Sequence, residues 1–312
     1  KGSAIMQSAL SKALMGKENI SGRLPISIPG MFDIGSGIFL EKKFNQEEKK
    51  QFSPGKLMLR VRPQSVDANI SNIEKLMDQA VNERAWPGGV LLAAKDGNIF
   101  YQRGHGYHTY DKKNPTRSSD IFDLASITKV VSTTSAIMKL QDLNKIDINK
   151  PVVKYLPEFK GTTKKHFSQK STITIKDLLA HVSGLPPFKK YYETEKTKTS
   201  LLKSIYNTDP IYENRDTTIY SDVGAIILGQ IVEKVSGLTL DVFVDSMVFE
   251  PLGMGTTFFN PPKEKKHRIV PTEISKDGAL IHGYVHDENA YALNGIAGHA
   301  GLFSTVKDIA VF

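Results

Sequence analysis

The chain has 312 residues, with 41 basic against 33 acidic side chains and a formal net charge of +8. It contains no cysteine, which excludes a thiol nucleophile, a zinc–thiolate site and a disulfide framework. With 40% hydrophobic and 24% charged residues, wholesale disorder is excluded too.

The longest apolar run, 88–94, is too short for a transmembrane helix, and none is expected. The lysine clusters are interrupted by acidic residues and read as solvated loops, so no nucleic-acid partner is expected. Lys1 in first place, with no signal peptide, reads as the start of a processed or excised piece.

Residues 1–40 differ from the rest. A short helical pattern over 4–15 (Ile5, Ala9, Leu10, Ala13, Leu14) is stopped by Gly16, and an extended run containing Pro25 and Pro29 follows. Forty such residues cannot bury a core alone. Residues 41–66 are rich in charge, Pro and Gly and read as a linker. From residue 67 the signals strengthen. Ile70, Ile73, Leu76, Met77, Ala80 and Val81 repeat with helical spacing, and Asp67 is the expected cap. Strands over 89–95 and 99–104 are joined by Asp96-Gly97, a hairpin turn pair. Helices are predicted over 126–141, 175–181, 199–207, 222–236 and 239–248. This order is α+β: an antiparallel sheet flanked by helices.

Ser126-Ile127-Thr128-Lys129 opens the first of the helices after the hairpin. A spacing of three puts the serine hydroxyl and the lysine amine on one helical face. A serine at a helix N-terminus sits where free N–H groups favour a developing oxyanion. A desolvated lysine can serve as its base. Tyr220-Ser221-Asp222 precedes another helix, and a tyrosine beside a Ser/Lys pair can relay protons. Between these motifs lies Ile175 through Pro186, with His181-Val182-Ser183-Gly184. Later come Pro251-Leu252-Gly253-Met254 and Gly301-Leu302-Phe303-Ser304-Thr305.

In this order the motifs resemble the serine β-lactamase and penicillin-binding superfamily, in its class C and esterase-like branch, over residues 67–312. The resemblance implies a β-lactamase-like fold without a cofactor, Ser126 as the acylated nucleophile, Lys129 as its base and Tyr220 as the proton relay. The family usually has Asn where this chain has Asp222, a residue that would face the substrate. An amide can donate to a substrate carbonyl and a carboxylate cannot. A pairing of Asp222 with Lys129 would keep the amine charged and weaken it as a base.

His299-Ala300-Gly301 matches the letters of the family's third motif. The residues after it resemble instead the segment leading into a helix ahead of that motif. His299 is therefore expected to line the pocket wall, with the third motif and its strand beyond residue 312 and the fold truncated at the C-terminus. His181 is expected in a structural turn. His282, His286, Asp287 and Glu288 carry metal-ligand letters without helical periodicity, so no metal is expected. Tyr191-Tyr192 reads as part of a solvated loop.

The segment Ala13 to Pro25 resembles the closing part of glycoside hydrolase family 3. That implies an upstream glycosidase domain as partner and an envelope or periplasmic setting. The expected activity is hydrolysis of D-alanyl peptides, esters or β-lactams, with a muropeptide among the candidate substrates. The alternative is a non-catalytic domain that binds peptidoglycan fragments.

Overall fold

The computed structural model describes residues 20–23, 37–40, 59–60, 62–63 and 70–312. The helix expected over 4–15 and most of the expected linker lie outside the described residues. Among the described residues there are three small sheets. Strand β1 (Ile20–Arg23) pairs antiparallel with β2 (Gly37–Leu40). Strand β5 (Asn98–Gly106) lies between β3 (Leu59–Arg60), which runs parallel to it, and β4 (Gly88–Lys95), which runs antiparallel. Strand β8 (Leu302–Ser304) pairs antiparallel with both β6 (Phe122–Asp123) and β7 (Phe258–Phe259).

The helices follow in chain order: α1 (Ser71–Asn82), α2 (Ser135–Asp142), α3 (Lys164–Thr172), α4 (Ile175–Leu179), α5 (Tyr191–Thr194), α6 (Lys198–Tyr206), α7 (Asp222–Ser236), α8 (Leu240–Val244), α9 (Glu250–Leu252), α10 (Glu288–Ala292) and α11 (Val306–Val311). The α+β expectation holds.

The core is mostly helical. Helix α7 is its axis, with Val223, Ile226, Ile227, Ile231 and Val232 almost wholly buried against Ile137, Leu140, Leu178 and Ile205. Gly237, at φ +74°, ends that helix in the left-handed conformation where glycine costs little. Among the described residues of the β3–β5–β4 sheet, Ile99, Tyr101 and His105 are buried, all on β5. Helix α1 is amphipathic in sequence yet buries no residue fully. It begins after Ile70, which makes no side-chain cap; Asp67, the expected cap, lies outside the described residues.

The helix predicted over 126–141 is not one α-helix. A 3₁₀ turn (Ala125–Ile127) gives way to a wide, π-type turn (Lys129–Thr134) and then to α2. The sequence supplies a reason. Thr134 Oγ1 donates to the Lys129 carbonyl at 2.8 Å and Ser135 Oγ to the Val130 carbonyl at 3.2 Å, each reaching back five residues. Hydroxyls that compete for backbone carbonyls loosen a helical turn.

Lys170 is fully buried, donates to the carbonyls of Lys160 and Tyr206, and has its pKa pushed down to about 8 by burial. Asp177 closes a capping box with Thr174 at the start of α4 and receives a two-pronged bond from Arg215, both prongs 2.8 Å long. Arg215 in turn gives its backbone N–H to the Val182 carbonyl, which fixes the turn after α4.

Candidate active site

The serine lies on a strained approach. Ala125, directly before Ser126, has φ +45°, a conformation that costs an L-residue about 1–2 kcal/mol. Its N–H is held by Asp123 Oδ1 at 2.8 Å, while Asp123 Oδ2 accepts the His286 N–H at 2.9 Å. Burial pushes the Asp123 carboxyl above its ordinary range. This carboxylate thus ties β6 and the serine turn to the chain ahead of α10. Ser126 itself is exposed.

Lys129 is the hub. Its side chain is 9% exposed, and its Nζ donates to Ser126 Oγ at 2.8 Å and to the His299 carbonyl at 3.1 Å. Asp222 Oδ1 lies 2.7 Å from the same amine, and the Tyr220 ring centroid lies 4.8 Å away. Tyr220 is half exposed. Asp222 is the first residue of α7, after Ser221, whose hydroxyl caps the helix by accepting the Gly224 N–H. Ser221 Oγ also donates to the Pro186 carbonyl, and the Asp222 N–H to the Pro187 carbonyl. Tyr220 and Asp222 are therefore presented by a segment stitched along 181–187. A nucleophilic hydroxyl, an amine, a phenol and a carboxylate share one small volume, an arrangement suited to acyl transfer. Two surface clefts, one lined by Arg60, Gln102 and Arg268 and the other by Lys165, Glu213 and Arg215, do not include Ser126.

A family model described as Beta-lactamase matches residues 73–312. The chain belongs to the beta-lactamase family. Its fold is the β-lactamase-like α+β fold. An N-acetylmuramyl-L-alanine amidase of Bacillus subtilis (strain 168) is 33% identical over 307 residues, covering 88% of this chain and 66% of that protein. A "Putative D-alanyl-D-alanine carboxypeptidase" of Salmonella gallinarum is 35% identical over 258 residues, covering 73% of this chain and 60% of that protein. The chain thus spans somewhat less than two thirds of these relatives' lengths. The octameric penicillin-binding protein homologue from Pyrococcus abyssi superposes with a TM-score of 0.63 at 25% identity, covering 78% of this chain and 55% of that one.

In this beta-lactamase-family chain, Ser126, Lys129, Tyr220 and Asp222 are brought together, and the side chain of His299 is not. His299 is 0% exposed, so it does not line a pocket wall. Its ring points to Asp287, with Nε2 to Oδ1 at 2.8 Å, and only its backbone carbonyl reaches Lys129. The physical reason is Gly298. A Cβ there would lie 2.1 Å from the Ala225 carbonyl oxygen, so the glycine lets this strand of chain press onto α7 and carries the imidazole inward.

Asp287 also caps α10 through the Ala290 N–H. Burial opposes its ionisation, yet the bonds from His299 and Ala290 hold its carboxyl below the ordinary range. The other metal-letter residues disperse: His286 pairs with Glu273, and His282 bonds to the carbonyls of Lys266 and Ile269. Tyr191 is not in a solvated loop. It starts α5, is 1% exposed, and shares a hydrogen bond with Thr208 Oγ1, just past the end of α6. Sequence reasoning overlooked Asp123 as the holder of the serine turn and Asp287 as the partner of His299. Asp287 had a usable signal, an Asp three residues ahead of an Ala in a helix start.

Proposed function

We propose that this chain hydrolyses acyl bonds through an ester on Ser126, with D-alanyl peptides of cell-wall material as the substrate class. Lys129 takes the hydroxyl proton as Ser126 attacks the carbonyl, and Tyr220 passes a proton to the leaving group. The backbone N–H of Ser126 serves as one donor to the oxyanion. Water then releases the acyl group. The observation that carries this reading is the 2.8 Å contact between Lys129 Nζ and Ser126 Oγ, with Tyr220 and Asp222 gathered around the same amine. The substrate class is supported by the names of the two relatives, an amidase and a carboxypeptidase, both of which denote amide hydrolysis. The same names support an envelope setting. Residues 1–40 are read as the tail of an upstream glycosidase-like domain and 41–66 as a linker.

The 2.7 Å approach of Asp222 to Lys129 favours a second reading, a pocket that binds wall fragments without turnover. A carboxylate at that distance either receives the amine's proton during acylation or keeps the amine from acting. Intact mass after exposure to a fluorophosphonate or penicillin separates the two. An adduct of one probe, absent in Ser126→Ala, is the expected outcome. No adduct together with measurable muropeptide binding would establish the binding role instead.

A further inference from the structure

Tyr220 stands on a stretch with no regular secondary structure. A residue in such a stretch keeps its place only if the peptides beside it are bonded to something fixed. Both are, and to the same residue. The Ile219 N–H donates to the His181 carbonyl at 2.8 Å, and the Ser221 N–H donates to His181 Nδ1 at 3.1 Å. The imidazole also lies against the phenol, with ring centroids 4.7 Å apart. His181 has φ +55°, an uncommon conformation for a residue that is not glycine.

We propose that His181 is a positioning residue for the serine site: its neutral ring, accepting at Nδ1, latches Tyr220 beside Lys129, and its protonation opens the latch. The inference rests on the reading of Ser126 as nucleophile. It assigns His181 no proton transfer with substrate; Nδ1 is engaged by the Ser221 peptide. To accept at Nδ1 the ring must carry its proton on Nε2. An imidazolium has N–H on both nitrogens and would set a donor against the Ser221 donor. Three charged or titratable groups face the ring: Lys129 from the turn after Ser126, Tyr220 beside it, and Asp222 from the start of α7. Burial, and then the neighbouring Lys129, hold its pKa below the ordinary histidine value, with Asp222 pulling the other way. The latch is closed at neutral pH and opens as the solution is acidified.

Two measurements test this on the full chain. With ¹⁵N-labelled histidine, NMR at neutral pH should show the Nε2–H tautomer for His181, and hydrogen exchange at the Ser221 amide should accelerate as the ring titrates. An Nδ1–H tautomer would overturn the proposal whether or not the serine reacts. The second is the rate of fluorophosphonate labelling of Ser126 against pH. His181→Ala should lower that rate about a hundredfold, the usual scale for a misplaced site group. His181→Asn presents an oxygen where Nδ1 stood and tolerates positive φ. It should recover most of the rate lost in the alanine variant and flatten the fall towards acid pH. An alanine variant that labels like wild type, or an asparagine variant that keeps the wild-type acid fall, would sink the proposal. If wild type is never labelled, the nucleophile reading fails alone, and the tautomer still decides on the latch. Should the alanine variant not fold, the asparagine profile and the tautomer decide.

Discussion

Lys129 draws its partners from widely separated positions: Ser126 three residues earlier, Asp222 at the head of α7, and the carbonyl of His299 from the chain leading into β8. The last partner is only as well placed as the ring on the same residue, and that ring is anchored by Asp287. Replacing Asp287 by Ala leaves a fully buried imidazole without its partner and removes the cap of α10. Leaving a buried polar group without its partner costs about 1–3 kcal/mol, which a lowered urea midpoint with an unchanged slope would reveal. The pH dependence has a definite sign. The folded-state carboxyl lies below its unfolded value, so its contribution is present above the ordinary carboxylate range and fades as pH falls through the folded value. Wild type and Asp287→Ala should therefore converge in stability at acid pH. A constant gap between them down to acid pH would show that the pair carries no such linkage.

Among the elements, the contact between α7 and the chain before β8 carries the site. Gly298 has no room for a side chain, its nearest neighbour being the backbone of Ala225, and Thr133 Oγ1 donates to its carbonyl at 2.7 Å. Gly298→Ala should cost about 1–3 kcal/mol in overpacking, and more tellingly should pull the His299 carbonyl from Lys129. Serine labelling that survives intact in a folded Gly298→Ala protein would refute that coupling.

The elements of this region were unevenly legible in the sequence. The bounds of α7 and the Asp96-Gly97 hairpin could be read, because apolar spacing, a Ser cap and a turn pair are local signals. The wide turn after Ser126 could not, since it arises where hydroxyls reach back five residues within a pattern that looks helical. Ser126, Lys129 and Tyr220 stood out as motif residues. The inward turn of His299 did not, because Gly298 shows its purpose only when α7 lies beside it. Likewise the letters His-Val-Ser-Gly disclose a turn at His181 but not that the ring accepts from Ser221, forty residues on.

At the scale of the whole molecule, the apolar interior is concentrated around α7, and the β3–β5–β4 sheet with α1 contributes little fully buried surface. The amine of Lys129 meets the carbonyl of His299 across 170 residues of sequence. Closing a loop of that length is slow relative to forming hairpins and single helices, since its entropy must be met before the contact gives anything back. The refolding chain should therefore gain local order well before it gains chemistry. Trp86, the single tryptophan, sits between α1 and β4 and reports on the early part. After dilution from urea its fluorescence should recover first, and reactivity at Ser126 should lag behind. Superimposable time courses would mean instead that sheet and site form in one concerted step. A lag would make the covalent probe a clock for the final stage of maturation, with nascent chains already compact yet chemically silent until residues near 299 have docked.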